Sequence, residues 1–335
     1  MDRRAAQQLL SDLYRFALNR KPGVTEYADW IESATTKMNA EDVVRAFYNS
    51  AEFQAKRQVN SVFEPGHYHS PVVDPRTVSN YVTRERMTEP DLIAGIPLDT
   101  AAMRRLWLEN LAFIQQTPFS DDPFGDNRYS YLGGPFPWGD AVILRMMIGH
   151  FRPKRVIEVG SGYSSACMLD ASEHAGLSDF SLTCIEPYPE RLKSLLRAYD
   201  APRVTIIEKL VQDVPVDLVD TLDAGDFLFI DSTHVMKTGS DVHHEFFHML
   251  PRVKPGVIIQ VHDVIYPFEY PDEWIFDSNY SWNEAYALRA FLMYNSQFRV
   301  IFWNSLFGKS FTQQINAEFP LFMKNPGGSI WLERV

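Results

Sequence analysis

A chain of 335 residues, 45% of them apolar and 13% aromatic, is long enough for a full hydrophobic core and a smaller second unit. Its formal charge of −11 argues against nucleic acid or an anionic membrane surface, either of which would need a basic stripe. No window approaches eighteen consecutive apolar residues, and the start MDRRAAQQLLSDLYRF is a charged amphipathic pattern without the apolar centre of a signal peptide, so a cytoplasmic protein with no membrane span is expected.

From Arg4 to about Lys56 apolar residues recur at helical spacing: Leu9, Leu10, Leu13, Tyr14 and Phe16, then Tyr27, Trp30 and Ile31, then Val43, Val44, Phe47 and Phe53. Lys21-Pro22-Gly23 ends the first helix, and Asn39 ahead of Glu41-Asp42 caps the third. Residues 1–58 are thus expected to form a small all-α module. The run LYRFALNRKPGVTEYADWIESATTKMNAEDVVRAFYNSAEF resembles a bacterial family of unknown function related to phycobilisome linker segments. That resemblance implies no chemistry, but it makes a protein partner for the module an expectation.

Residues 59–128 read as a lead-in. The stretch 60–100 is rich in Pro, His, Thr and Asp without periodicity and predicts a linker, followed by a helix around Ala101–Gln115. The Gly-Gly-Pro-Phe-Pro-Trp-Gly run at 133–139 predicts an irregular loop, with Asp140 capping a helix Ala141–His150. Cys167 and Cys184, the only cysteines, are too few for a disulfide framework or a thiolate metal cage and read as buried thiols.

From Arg155 onward strand and helix patterns alternate: VIEVG, a helix from Tyr163, SLTCIE, a helix from Pro189, VTIIEKL, a short helix near Val216–Leu222, FLFID, a helix near Asp241–Leu250, VIIQVHD, the helix WNEAYALRAFL, RVIFWN and SIWLERV. Continuous apolar strands alternating with helices predict an α/β fold: a doubly wound, mostly parallel seven-stranded sheet over residues 129–335. No helix pattern is evident between the last two strands, so a closing hairpin is expected to supply one antiparallel strand.

Ligands in such folds bind beyond the carboxyl ends of the strands. The first strand ends in RVIEVGSGYSS, where Gly160 and Gly162 can take positive φ and let a ligand approach the backbone. A dinucleotide fingerprint needs a third glycine, and position 165 is serine. The other reading puts Glu158 at the loop edge facing the amino group of S-adenosylmethionine, with Ser161 and Ser164 in the loop and Ser164 donating to the ligand carboxylate. Glu186, ending the second strand, is placed to accept from ribose hydroxyls. Asp213, after the third, could accept from the adenine amino group or cap a helix.

E-V-G-S-G-Y-S-S, then Glu186, a Q-D pair, F-I-D-S-T-H and I-Q-V-H-D-V-I together resemble the successive motifs of class I S-adenosylmethionine-dependent methyltransferases over residues 130–335, most closely the bacterial small-molecule and sugar O-methyltransferases. The resemblance implies S-adenosylmethionine as cofactor, with Glu158, Gly160, Ser161, Gly162, Ser164, Glu186, Asp213 and Asp231 around it. Catechol-type members hold magnesium with an Asp ending strand four and an acidic pair ending strand five. Here Asp231 matches the first and His262-Asp263 the second. A histidine in that set would suit Mn, Fe or Zn better than magnesium. The alternative is metal-free, with His262 or His234 removing the acceptor proton beside Asp263.

His244-Glu-Phe-Phe-His248 also reads as a zincin helix, although no third ligand is evident. Tyr131, Phe136, Trp138, Tyr266, Phe268, Tyr270, Trp274 and Trp282 are candidate walls for a dry pocket, and aromatic faces also stack on sugar rings. The expected function is O-methylation of a hydroxyl on a sugar, glycan precursor or similar polar small molecule. The alternatives are a nicotinamide-dependent oxidoreductase and a non-catalytic nucleotide-binding or interaction protein.

Overall fold

A computed structural model describes all residues except 19, 59–62, 64, 88–92 and 124, and the side chains of all but these and residues 16, 17, 55–58 and 84–87. The side chain of Phe16 and part of the expected linker 60–100 therefore lie outside the described residues. The described chain forms two compact units, Met1–Asp74 and Pro75–Val335.

The first unit contains α1 (Arg3–Asp12), α2 (Val24–Thr36), α3 (Ala40–Tyr48) and α4 (Ala51–Gln58). Asp2 caps α1 by accepting from the Ala5 amide at 2.9 Å, and Asn39 caps α3 by accepting from the Asp42 amide at 2.9 Å. Leu10, Ile31 and Val43 are buried in one apolar cluster, and Tyr14, Leu18 and Phe47 in another, where Tyr14 meets Phe47 edge to face at 5.1 Å. Arg20 ties the α1–α2 turn to α2 and α4 through Glu26 (2.9 Å) and Glu52 (2.5 Å).

In the second unit α5 (Pro75–Met87) occupies part of the stretch expected as linker. Its sequence PRTVSNYVTRERM is too polar for a helical stripe to stand out. The expected helix 101–115 is two helices, α6 (Thr100–Glu109) and α7 (Leu111–Gln115), broken at Asn110, whose side chain donates to the Leu106 carbonyl. Next come α8 (Trp138–Phe151), β1 (Arg155–Val159), α9 (Tyr163–His174), β2 (Ser181–Ile185), α10 (Glu190–Leu195), β3 (Val204–Ile207), β4 (Phe227–Ile230), α11 (Asp241–His244), β5 (Ile258–Val261), α12 (Glu284–Leu292), β6 (Phe298–Trp303), α13 (Asn304–Ser310), α14 (Thr312–Glu318) and β7 (Ile330–Arg334).

The strands form one sheet in the order β3-β2-β1-β4-β5-β7-β6, parallel except for β7, which runs antiparallel to β5 and β6. β4 and β5 are buried at every position, as expected where helices cover both faces. The last two strands are not a hairpin: α13 and α14 lie between them, with Leu306, Phe307 and Ile315 turned into the core. Two seven-residue helices are too short for their periodicity to be read against an aromatic-rich background. The strand order reverses between β1 and β4, so the carboxyl ends of these strands and their neighbours form the ligand crevice of this topology. Among the described residues no helix is long and apolar enough to cross a membrane.

Candidate active site

The glycine turn after β1 is held by protein contacts. Gly160 has φ +79°, and a Cβ there would lie 1.8 Å from the Asp231 carbonyl oxygen, so glycine is required for the loop to touch the end of β4. Gly162 is extended at φ 170° and needs no left-handed freedom, contrary to expectation. Glu158 also departs from expectation: it is fully buried and faces the loop interior, accepting from Ser164 Oγ at 2.5 Å and from Ser165 Oγ. Burial pushes its carboxyl up to about 7, against the opposing pull of the two serine hydroxyls. Ser164 is thereby committed to Glu158 and not to a ligand carboxylate.

Glu186 stands over the turn, accepting from the Ser161 amide at 3.1 Å and the Tyr188 amide at 2.9 Å. The Ser161 hydroxyl is buried with no hydrogen-bond partner. Asp213 is exposed and caps neither the 3-10 turn that it ends nor the next one. Its neighbour Gln212, the other half of the Q-D pair and assigned no role from sequence, donates to the Gly239 carbonyl at 2.7 Å and leaves a buried Oε1 unpartnered.

At the ends of β4 and β5 four side chains converge. His262 Nδ1 lies 3.4 Å from Asp231 and 3.3 Å from Asp263, while His234 Nε2 lies 3.6 Å from Asp231 and 3.5 Å from Asp263. His234 and Asp263 both adopt left-handed backbone, φ +61° and +56°, uncommon for non-glycine residues and frequent where a site stores strain. The far nitrogen of each imidazole is held by a buried carboxylate. Glu284 meets His234 Nδ1 at 2.8 Å, and Asp140 meets His262 Nε2 at 3.3 Å. Nδ1 of His262, in a residue only 4% exposed, has no hydrogen-bond partner.

Asp140 corrects the sequence reading. It lies within the first turn of α8, which begins at Trp138, and caps nothing. Its carboxylate accepts from Ser329 Oγ (2.6 Å), the Ser329 amide (3.0 Å), the Asn304 amide group (3.0 Å) and the Gly328 amide (3.2 Å). Gly327 has φ +81°, and a Cβ there would lie 2.0 Å from Asp140 Oδ2, so the Pro326-Gly327-Gly328-Ser329 turn can wrap the carboxylate only without side chains at its middle. That run directly ahead of the last strand was the available signal. Glu284, in the first turn of α12, carried none.

Burial alone would lower the pKa of both histidines. Around His262 the charges of Asp231, Asp263 and Asp140 win and raise it well above the ordinary value. Around His234 the Glu284 hydrogen bond and charge, with Asp263 and Asp231, raise it too. Asp263 moves the other way: burial raises it, but the facing imidazoles hold it below the usual carboxylate range.

Among the aromatic candidates, Phe136 stacks on His262 at 5.4 Å and Trp282 lies 4.3 Å from the His234 ring, with Trp274 and Tyr270 behind it. Tyr131 stacks on Trp138. Tyr266 and Phe268 pack instead on Trp303, and Phe268 is buried core. The zincin-like run does not form a zincin helix: α11 passes into a π-turn at Glu245–Met249, and Glu245 is fully buried beside Ser232. Both cysteines are buried free thiols.

Residues 157–264, from β1 to just past β5, match a sequence family described as a methyltransferase domain. An uncharacterized protein of Archaeoglobus fulgidus is 27% identical over 172 residues, 50% of this chain and 76% of that one. Solved structures similar to the chain include the S-adenosylhomocysteine-bound methyltransferase PaMTH1 of Podospora anserina (15% identity, 83% of this chain and 100% of that one, TM-score 0.39). The O-methyltransferase TomG of Streptomyces achromogenes is another (17% identity, 77% and 96%, TM-score 0.40). The glycine turn, the β4 and β5 ends and His234 and His262 all lie within the residues that match that family.

Proposed function

We propose that this methyltransferase domain moves the methyl group of S-adenosylmethionine to a hydroxyl of a sugar, glycan precursor or similar polar molecule. The observation that carries the reading is His262: a buried imidazole whose Nε2 is fixed by Asp140 and whose Nδ1, without a hydrogen bond, lies 3.3–3.4 Å from Asp263 and Asp231 at the ends of β5 and β4. Bound cofactor supplies an electrophilic methyl on a sulfonium. The unpartnered Ser161 hydroxyl, Glu186 and the buried Gln212 Oε1 are the groups on this chain that suit its amino-acid end, ribose and adenine amino group. Asp213, exposed beside Gln212, is the lesser candidate for the last.

Asp140 holds a proton on Nε2, which leaves the Nδ1 lone pair as the proton acceptor for the attacking hydroxyl. His234, fixed by Glu284, presents Nε2 to the same space. Asp231 and Asp263 stabilise imidazolium as it forms, as the third member of a nucleophile–base–carboxylate array does. Alignment of hydroxyl and methyl then accounts for most of the remaining acceleration.

A second reading has one observation in its favour. Two imidazole nitrogens and two carboxylates face one space, a donor set that suits Mn, Fe or Zn at Asp231, His262 and Asp263. Among the described residues, however, no three such groups stand as a metal cage, and no step here is routed through a metal.

Incubation with methyl-labelled S-adenosylmethionine and a panel of hydroxylated acceptors, with and without chelator, tests both. Proton removal by His262 predicts transfer that survives chelation and falls by about 10²-fold or more in His262→Gln, the scale of general-base catalysis. Loss with chelator and recovery with Mn or Zn selects the metal. Full activity in the double variant His262→Ala, Asp263→Ala overturns the site.

A further inference from the structure

Beyond the reacting pocket, a line of rings runs outward from His234. Trp282 lies 4.3 Å from the His234 ring, Tyr280 stacks on Trp282 at 4.4 Å with an interplanar angle of 21°, and Trp274 lies 5.3 Å from Trp282. This line is fastened to the catalytic loop. The His234 carbonyl accepts from the Asn283 and Glu284 amides, and the Asn283 side chain accepts from the Met236 amide at 2.6 Å. Its outer end is strained into place: Asn279 and Ser281, on either side of Tyr280, both take left-handed backbone at φ +48° and +50°. Tyr280 is nevertheless 47% exposed, and Trp274 and Trp282 are only half-buried, so the strain does not serve core packing.

The surroundings select among partners for such a surface. From Tyr266 to Tyr286 the chain carries four carboxylates within reach of solvent, Glu269, Asp272, Glu273 and Asp277, with Glu284 buried against His234, and no lysine or arginine. A phosphate-bearing acceptor would be repelled there, whereas rings rich in hydroxyls can stack an apolar face on the aromatics and donate to carboxylates.

We infer that Trp282, Tyr280 and Trp274 form an extended acceptor subsite for an uncharged or amino-sugar glycan of more than one ring, whose reacting hydroxyl reaches His234 and His262 while its remote rings lie along Tyr280 and Trp274. This rests on the methyl-transfer reading and names its acceptor class. Remote binding of that kind raises kcat/KM with acceptor length.

The test is label transfer from methyl-labelled S-adenosylmethionine to methyl glycosides of glucose, rhamnose and glucosamine and to their di- and trisaccharides, with glucose 6-phosphate and catechol alongside. The expected result is at least one labelled sugar series whose kcat/KM rises about tenfold from one ring to three, the scale of one good ring contact. Tyr280→Ala and Trp274→Ala then remove the length dependence and raise KM, with S-adenosylhomocysteine affinity as in the wild type. Length-independent transfer, preference for glucose 6-phosphate or catechol, or an unchanged KM in both variants overturns the subsite. Label in catechol alone removes the subsite while methyl transfer stands, and absence of S-adenosylhomocysteine binding removes the methyl-transfer reading itself.

Discussion

His262 and its carboxylate Asp140 act as one unit at the residue scale. Asp140→Asn keeps the side chain's size but offers an amide where Nε2–H needs an acceptor, so the imidazole turns or changes tautomer. The expected kcat loss is about 10²-fold or more with cofactor affinity unchanged, by analogy with orienting carboxylates elsewhere. The pH dependence follows from the raised pKa of His262. The free protein holds this group protonated, and therefore unable to accept, to a pH above its ordinary 6.5, so kcat/KM rises with pH through a value above 6.5. A profile that levels off below pH 6 contradicts the assignment. Glu158 predicts a stability effect of defined sign. Its folded pKa of about 7 lies above the reference 4.5, so its contribution is fully present below 4.5 and lost as pH rises through 7. Glu158→Gln, which cannot ionise, should gain on the order of 2–3 kcal/mol relative to wild type at pH 8.5 compared with pH 4.5, read by denaturant unfolding.

Elements carry the next level. The glycine turn works because Gly160 lets the β1 end touch the β4 end, and Gly160→Ala would force the loop off Asp231. Loss of S-adenosylhomocysteine binding by calorimetry is expected, whereas a variant that binds as well as wild type would show the loop to be adaptable. A second tie is Arg128, whose side chain is fully buried and binds Asp170 and Asp200 at 2.6 Å each and Glu173 at 2.7 Å. It fixes the segment leading to Tyr129 and Phe136 against α9. Arg128→Met leaves the buried Asp170 without its cation and Asp200 and Glu173 with Arg203 alone, a loss of about 3–5 kcal/mol in equilibrium unfolding. The strands and most helices were legible because each is an apolar run or a helical stripe ended by a breaker. The pair α13 and α14 was not, being short and aromatic, and α5 was hidden by its polarity. Asp231, His234, His262 and Asp263 could be read because they end strands. Asp140 and Glu284 could not, since only tertiary folding brings positions 122 and 50 residues away onto the two histidines. Glu158 was misread because strand-end position alone does not say whether a side chain points toward the crevice or into the loop.

At the scale of the whole molecule the sheet order explains why these groups meet. Reversal between β1 and β4 opens the crevice at the tips of the central strands, and the antiparallel β7 delivers the Gly328-Ser329 amides that hold Asp140 beside β5. The net charge of −11 extends to the ring-lined segment 266–286, which has no lysine or arginine. Every role assigned here assumes a cofactor lying across the tips of β1 and β2, its ribose on Glu186. Calorimetric titration of the full chain with S-adenosylhomocysteine measures that assumption directly. The account predicts saturable one-site binding that Glu186→Ala weakens by about tenfold or more, the scale of lost hydrogen bonds to charged groups. Absence of heat at millimolar ligand, or equal affinity in Glu186→Ala, would contradict it.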